Sequence, residues 1–172
     1  NEHAPPRDGT FSLTEVILVP FHIVLVEPEI PANTGNIART CAATGTVLHL
    51  VRPLGFSTDD RYLKRAGLDY WPFVQVEYHD SFRELAAAHP GARFFCATTK
   101  ARVRYTDVAY QDGDFLVFGK ETAGLPAEIL EAYRDTLIRL PMSGNVRSLN
   151  LSNAAAIVLY EALRQTGFKG LT

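Results

Sequence analysis

Short apolar runs separated by polar, helix-like segments recur along most of the chain. The runs FHIVLVE, VLHLV, FFCA and FLVF have the length and the β-branched or aromatic content of strands. Further strands are predicted near residues 73–77 and up to Leu140, and helices over residues 36–44, 81–89 and after Asn150. Thr34 or Asn33 would cap the first helix. This alternation predicts an α/β fold, with a mainly parallel sheet flanked by helices.

Length and composition limit the domain organisation. A chain of 172 residues, of which 47% are hydrophobic, suffices for one domain with a full core. We interpret residues 1–20 as an N-terminal extension, for which disorder is one interpretation, and residues 21–172 as a single domain. No apolar run approaches the roughly 20 residues that cross a bilayer, and the N-terminus lacks a signal-peptide pattern. We therefore expect a cytoplasmic protein with no membrane partner.

The two cysteines do not predict a metal site. Cys41 lies in a helical pattern and Cys96 in a strand pattern, without the C-x-x-C spacing of zinc sites. Buried core thiols are the interpretation that base rates favour. The sequence therefore predicts no bound metal.

Ligands of open α/β sheets bind beyond the carboxyl ends of the strands, so the loops after Ala97, Phe118 and Leu140 are the candidate sites. The last of these loops opens directly into the C-terminal helix, whose first-turn amides could hold polar ligand atoms. Helix capping by Ser and Asn is the alternative for that loop. In the loop after Phe118, two glycines flank a carboxylate, which suggests a backbone close to a ligand. An ordinary strand-to-helix turn is the alternative there.

The charge balance gives little indication of a nucleic-acid partner. The net charge is −2, whereas domains that bind nucleic acids are often strongly basic. Two local groups are basic, and surface faces in contact with solvent are their alternative interpretation. These groups are Arg61, Lys64 and Arg65, and Lys100, Arg102 and Arg104. Neither G-x-G-x-x-G nor G-x-x-x-x-G-K-[ST] occurs, which argues against the common dinucleotide and nucleoside-triphosphate sites.

Three segments together resemble the SPOUT superfamily of RNA methyltransferases. They are PEIPANTGNIAR at 28–39, FGKETAGLP at 118–126, and a segment at 139–164 that begins RLPM and continues as RSLNLSNAAAIVLYEALR. With GLDYW at 67–71 and TTKA at 98–101, the similarity is closest to the TrmL type, the wobble cytidine/uridine 2′-O-methyltransferases of tRNA. The resemblance implies S-adenosyl-L-methionine as methyl donor and the ribose 2′-hydroxyl of nucleotide 34 as acceptor. It also implies a C-terminal trefoil knot and a homodimer that builds each site across the subunit interface.

The resemblance assigns roles to individual residues. Cofactor binding falls on Ala97, Gly119, Glu121, Leu140 and Ser148. Catalysis falls on Arg39, with Asn33 and Asn150 as orienting residues. RNA binding falls on Lys64, Arg65, Lys100, Arg102, Arg147 and Tyr160. The reaction implies no metal, because the positive sulfur already activates the methyl group.

The role of Arg39 stays open. Members of the family are often described as using this arginine as a general base, yet a guanidinium stays protonated in proteins. Arg39 could instead hold the adjacent phosphate and stabilise developing alkoxide charge. A surface salt bridge is its structural alternative, and packing is the alternative for Tyr160.

Two alternative functions also stay open. A related 2′-O-methyltransferase for ribosomal RNA or another tRNA position would carry the same motifs. The tripeptide GNV at 144–146 departs from the more polar, proline-bearing loop of the wobble enzymes, which leaves the target nucleotide open. A noncatalytic RNA-binding α/β protein is the alternative from another class, and binding of the methyl donor distinguishes it.

Overall fold

A sheet of six parallel strands forms the centre of the computed structural model, which describes residues 18–59, 61, 65 and 68–172. The strands are β1 (His22–Val26), β2 (Val47–Val51), β3 (Val76–His79), β4 (Phe94–Ala97), β5 (Phe115–Phe118) and β6 (Leu137–Ile138). Their order across the sheet is β3-β2-β1-β5-β4-β6, and each neighbouring pair is parallel. The prediction of an α/β fold with a mainly parallel sheet is confirmed.

Helices cover both faces of this sheet. They are α1 (Pro31–Thr44), α2 (Phe82–Ala88), α3 (Ala127–Ala132) and α4 (Leu151–Gln165), with short 3-10 helices at Leu68–Phe73, Tyr105–Asp107 and Arg134–Thr136. Residues of α1 and α4 share an apolar core with Ile23 and Leu25, whereas residues of α2 and α3 pack with Val24 and Val26. Successive strand side chains point to opposite faces, so a strand covered on both faces is apolar throughout.

Most predicted strands have the expected bounds, and two differ. β2, β4 and β5 agree with the prediction, and β1 lies within its predicted run. The strand predicted at residues 73–77 is wrong in its first part, because a 3-10 helix occupies Leu68–Phe73 and β3 begins at Val76. Pro72 lies in that 3-10 helix and has no N–H to donate to a strand ladder. The last strand ends at Ile138, two residues before the predicted Leu140.

The first helix begins earlier than its sequence pattern suggested. α1 starts at Pro31, a residue that suits the first helical position, and Asn33 and Thr34 are buried inside the helix. The N-cap residue is Ile30, whose side chain cannot accept a hydrogen bond. The predicted cap at Asn33 or Thr34 is therefore wrong.

Most of the predicted N-terminal extension is not described by the structure. Of residues 1–20, positions 1–17 lie outside the described residues.

The two cysteines are buried, as the sequence predicted. Cys41 and Cys96 are free thiols, and burial raises the pKa of each to about 12, which makes them unreactive. Among the described residues, no helix has the length and apolar character required to cross a membrane.

Candidate functional site

A cleft opens at the carboxyl ends of β4, β5 and β6, where the fold predicts a ligand site. Its volume is about 480 Å³, which lies in the range of small-molecule sites. Three loops supply most of its lining, two residues come from the start of α1, and Leu130, Leu151 and Ala154 come from α3 and α4. The lining includes Ile30, Asn33, Ala97, Thr98, Thr99, Lys100, Gly119, Lys120, Glu121, Leu125, Leu140, Met142, Arg147, Ser148, Leu149 and Asn150.

The loop after β5 closes tightly on its own backbone. The amide of Gly124 donates to the carbonyl of Lys120 over 2.8 Å, and the two residues form an isolated β-bridge. A Cβ atom at Gly119 would lie 2.1 Å from the carbonyl carbon of Gly124. Gly124 itself has a φ of +69°, in the left-handed region that favours glycine. The loop therefore needs a glycine at position 119 for the close approach and favours one at position 124 for its backbone conformation.

Glu121 joins this loop to the start of α1. Its carboxylate accepts hydrogen bonds from the amides of Glu29 (2.8 Å) and Ile30 (3.1 Å) and from Nδ2 of Asn33 (3.3 Å). Unpaired amides and a positive dipole at a helix start favour a carboxylate there. The carboxylate thus satisfies the amide of the N-cap residue Ile30 and that of Glu29 just before it.

A second carboxylate connects the same two segments in the opposite direction. Oε1 of Glu29 accepts hydrogen bonds from the hydroxyl (2.6 Å) and the amide (3.1 Å) of Thr122. These bonds stabilise the charged form and lower the pKa of Glu29. The loop and the helix start are therefore joined by reciprocal carboxylate contacts.

The start of α4 is joined to α1 through two asparagines. Nδ2 of Asn150 donates to Oδ1 of Asn33 over 3.1 Å, and Asn33 is buried. The other amide atom, Oδ1 of Asn150, caps α4 by accepting from the backbone amides of Ser152 (2.9 Å) and Asn153 (3.3 Å). Asn150 is therefore both a cap and a contact between the two helices, so the capping alternative for this loop is confirmed at Asn150, and its role as an orienting residue stays a prediction.

The cleft combines apolar side chains with cationic groups and backbone amides. Leu125, Leu140 and Met142 provide apolar surface. Lys100 and Arg147 lie at exposed positions of the lining. Such a site can hold a flat apolar ring beside a negatively charged group. Its carboxylate Glu121 is occupied by the contacts to α1, so this side chain shapes the cleft rather than offering a free charge.

The cleft collects most of the residues that the sequence singled out. Those that line it are Asn33, Ala97, Lys100, Gly119, Glu121, Leu140, Arg147, Ser148 and Asn150. Those outside the lining are Arg39, Arg65, Arg102 and Tyr160, and Lys64 lies outside the described residues.

Arg39 and Tyr160 lie on the exposed surface of the helices. The guanidinium carbon of Arg39 lies 4.8 Å from the ring centre of Tyr70, a cation–π distance. The ring of Tyr160 is 47% exposed and lies 6.5 Å from that of Phe168. Neither side chain lines the cleft of its own chain. The predicted catalytic role of Arg39 would therefore need the cleft of a second chain, whereas the predicted RNA contact of Tyr160 needs only an exposed surface.

Sequence reasoning missed contributions that depend on distant segments. Glu29 and Ile30 matter through their backbone amides, which carry no sequence signal. Arg139 donates a side-chain hydrogen bond to the carbonyl of Thr99, and its backbone pairs with Val103 and Tyr105. Arg139 begins the third of the segments that resembled the family, at residues 139–164. Only the fold shows that it joins the loop after β6 to the loop after β4.

Comparison with known proteins places the chain among RNA methyltransferases. Residues 20–160 match the SpoU rRNA Methylase family. A Methylovorus glucosotrophus (strain SIP3-4) protein is 55% identical over 151 residues, which are 87% of this chain and 98% of that protein. An Escherichia coli (strain K12) protein is 53% identical over 150 residues, which are 87% of this chain and 96% of that protein. Both relatives are named tRNA (cytidine(34)-2′-O)-methyltransferase.

Solved structures of RNA methyltransferases also match the fold of this chain. One, from a study of the 2-OH methylation of C/U34 on tRNA, matches with a TM-score of 0.81 and 48% sequence identity. The match covers 85% of this chain and 95% of that chain. The SpoU methyltransferase AviRb from Streptomyces viridochromogenes, in complex with the cofactor AdoMet, matches with a TM-score of 0.77 and 25% identity. That match covers 88% of this chain and 59% of AviRb.

We expect Glu121→Ala to lower the free energy of unfolding by about 1 to 3 kcal/mol, because it leaves the amides at the start of α1 without an acceptor. Glu121→Gln should lower the free energy of unfolding by less than Glu121→Ala, because the amide side chain retains one oxygen that can accept a hydrogen bond. Equilibrium unfolding in urea measures both. Glu128→Ala is the control: this glutamate pairs with Arg83 at the surface, and its loss should cost less than about 1 kcal/mol. Equal effects of Glu121→Ala and Glu128→Ala would contradict the role of Glu121.

Proposed function

The chain belongs to the SpoU rRNA methylase family, and from that premise we propose that it methylates the ribose 2′-hydroxyl of nucleotide 34, a cytidine or uridine, in tRNA. S-adenosyl-L-methionine is the methyl donor. The observation that carries the proposal is the 53–55% identity to relatives of that name over nearly their whole length. A tRNA substrate would place the protein in the cytoplasm.

The residues of the cleft fit this donor. The loop after β5 can close on itself beside the cleft only because Gly119 carries no side chain to meet the backbone of Gly124. Leu125, Leu140 and Met142 would hold the adenine ring, which needs apolar surface and backbone hydrogen bonds more than charge. Lys100 would suit the donor's carboxylate. The backbones at Ala97, Gly119 and Leu140, with Ser148, form the proposed cofactor site.

Catalysis by this arrangement rests on positioning. The bound donor supplies a methyl group that its positive sulfur has already activated, so the protein's task is to align the 2′-hydroxyl with it. Asn150 donates a hydrogen bond to Asn33, and Asn33 donates one to Glu121. The side-chain amide hydrogens of Asn33 and Asn150 that these bonds leave unused can orient the ribose. Arg39 would hold the neighbouring phosphate and stabilise negative charge on the attacking oxygen. A permanently charged guanidinium suits this role better than that of a base.

Arg39 can serve this role if two copies of the chain associate, and the proposal includes a homodimer. Arg39 is exposed on α1 and does not line the cleft of its own chain. Large apolar side chains at the start of α1, just before α4 and on α4 are also exposed: Ile30 (44%), Leu149 (37%), Ile157 (40%) and Tyr160 (47%). Such a surface is suited to a partner, and Arg39 of one subunit would act at the cleft of the other.

RNA binding would use the cationic rim. Lys100 and Arg147 lie at the cleft, and Arg65 and Arg102 are exposed elsewhere. Cations that contact phosphates release counterions, so affinity for tRNA should fall steeply as salt rises. The net charge of −2 means that this attraction is local.

A C-terminal trefoil knot is also part of the proposal. β6 pairs with β4 at the sheet edge, whereas α4 packs against α1 and β5, on the inner side of β4. The chain between β6 and α4 must therefore pass back beside the loop after β5, and the two segments line one cleft. This passage supports a knot, and an experimental structure traced through residues 118–151 would test it.

The purified protein should bind S-adenosylmethionine or S-adenosylhomocysteine in calorimetry and transfer labelled methyl groups to tRNA at nucleotide 34. Nucleotide mapping after incubation with total RNA measures the position. Label found in ribosomal RNA or at another tRNA position would replace the proposed target. Absence of cofactor binding and of transfer would leave only a noncatalytic RNA-binding protein.

Gly119→Ala should weaken binding of S-adenosylhomocysteine by about tenfold or more, because the added methyl group overlaps the backbone of Gly124 and opens the loop. Calorimetry measures the dissociation constant. Gly144→Ala is the matched control, since a Cβ there meets nothing within 4 Å. Equal binding by the two variants would contradict the proposed cofactor site.

Arg39→Ala should abolish methyl transfer while S-adenosylhomocysteine binding stays nearly unchanged. A loss of about 100-fold or more in the rate of transfer is expected for a group that stabilises charge in the transition state. The control is Arg83→Ala, an exposed arginine on α2, on the opposite face of the sheet. Equal loss of binding and transfer in Arg39→Ala would indicate a structural role instead.

A further inference from the structure

The four histidines among the described residues lie together on the face of the sheet that α2 and α3 cover. His22, His49 and His79 project from β1, β2 and β3, and His89 follows the end of α2. Glu77 of β3 lies beside His49 in the sheet register. None of these side chains lines the cleft at the carboxyl ends of the strands. The methyltransferase reaction therefore leaves the cluster without a role.

Nitrogen atoms of three histidines converge on one carboxylate oxygen. Oε2 of Glu77 lies 3.3 Å from Nδ1 of His49, 3.9 Å from Nε2 of His79 and 3.9 Å from Nε2 of His89. His49, Glu77 and His89 each offer one ligand atom, and these atoms all lie within 4.8 Å of one another. Zinc bonds to nitrogen and oxygen are about 2.0–2.2 Å long, so neighbouring ligand atoms of a tetrahedral site lie roughly 3.3 Å apart. Small rotations of these side chains would bring them to that spacing.

We propose that His49, Glu77 and His89 form a binding site for one divalent cation of the zinc type, with a water molecule in the fourth position. Imidazole nitrogens suit zinc, nickel and copper, and a single carboxylate beside them is a common zinc ligand. The residues are far apart in sequence, which is why their spacing gave no metal motif and the sequence predicted none. The site would join β2, β3 and the end of α2.

His22 provides the outer contact that oriented metal ligands usually have. Its Nδ1 lies 2.8 Å from Nε2 of His49, and its ring stacks on Phe115 with 4.0 Å between ring centres. When His49 donates from Nε2 to His22, its Nδ1 carries a lone pair, and in the metal-free structure Nε2 of His79 can donate to it over 2.9 Å. A metal bound at Nδ1 would replace this hydrogen bond. A hydrogen bond such as the one to His22 fixes the tautomer and orientation of a ligating histidine.

The exposure of the cluster also suits a cation. His49 is fully buried, whereas the side chains of His89 and Glu77 are 29% and 35% exposed. A cation can therefore enter from the side of His89 and Glu77. The Glu77 carboxylate supplies the negative charge that the histidines lack.

Calorimetric titration with ZnCl₂ tests the site. The full chain is used with His3→Ala, because His3 lies outside the described residues and could bind zinc itself. The protein is stripped with a chelator and desalted before titration. We expect one zinc ion per chain, a dissociation constant in the micromolar range or below, and no binding of MgCl₂, which prefers oxygen ligands. Cobalt should give the intense visible bands of a four-coordinate site.

Variants decide whether zinc binds at this cluster. Glu77→Gln and His89→Gln should each weaken zinc binding by about tenfold or more and remove the cobalt bands. Both positions are partly exposed, and circular dichroism checks that the variants fold. Glu131→Gln is the matched control, since Glu131 is an exposed carboxylate on α3, paired with Arg134. Absence of stoichiometric zinc binding, or equal binding by Glu77→Gln and Glu131→Gln, would overturn the proposal.

Discussion

The hydrogen bonds of Glu121 are the contact on which the candidate site depends. This carboxylate belongs to the loop after β5, yet its oxygens accept hydrogen bonds from residues at the start of α1, more than 80 residues away in the chain. Because α1 has no side-chain cap of its own, this loop supplies the acceptor for the amide of its N-cap residue. Asn33 extends the connection to Asn150 and hence to α4. A series of hydrogen bonds therefore joins three of the segments that line the cleft: the loop after β5, the start of α1 and the start of α4.

The doubly covered parallel sheet explains why the functional residues lie where they do. Side chains within the strands are used for packing on both faces, so polar chemistry is confined mainly to the strand ends and loops. The cleft follows this rule at the carboxyl ends. The histidine cluster is the exception, because it places polar residues inside a sheet face where Val24 and Val51 would lead one to expect continued apolar packing. A hydrogen-bonded or metal-bound arrangement is what makes such burial tolerable.

The position of Arg39 gives the proposed homodimer its functional meaning. Within one chain the arginine stacks over Tyr70 on an exposed helix surface and is separate from the cleft. The chain thus provides a cofactor-sized cleft but does not bring this residue to it. A second copy placed against the exposed apolar residues of α1 and α4 would supply the missing charge.

The amino-acid sequence was sufficient for the architecture and for most of the cleft, because strand runs such as FLVF are local patterns and three motifs resembled one family. It could not give the start of α1, because the groups that satisfy its amides come from Glu121, in a distant segment. It also could not bring together His49, Glu77 and His89, since their proximity follows from strand register and the end of α2. Local propensity acts over a few residues, whereas these sites are made by contacts between segments that only the packed chain brings together.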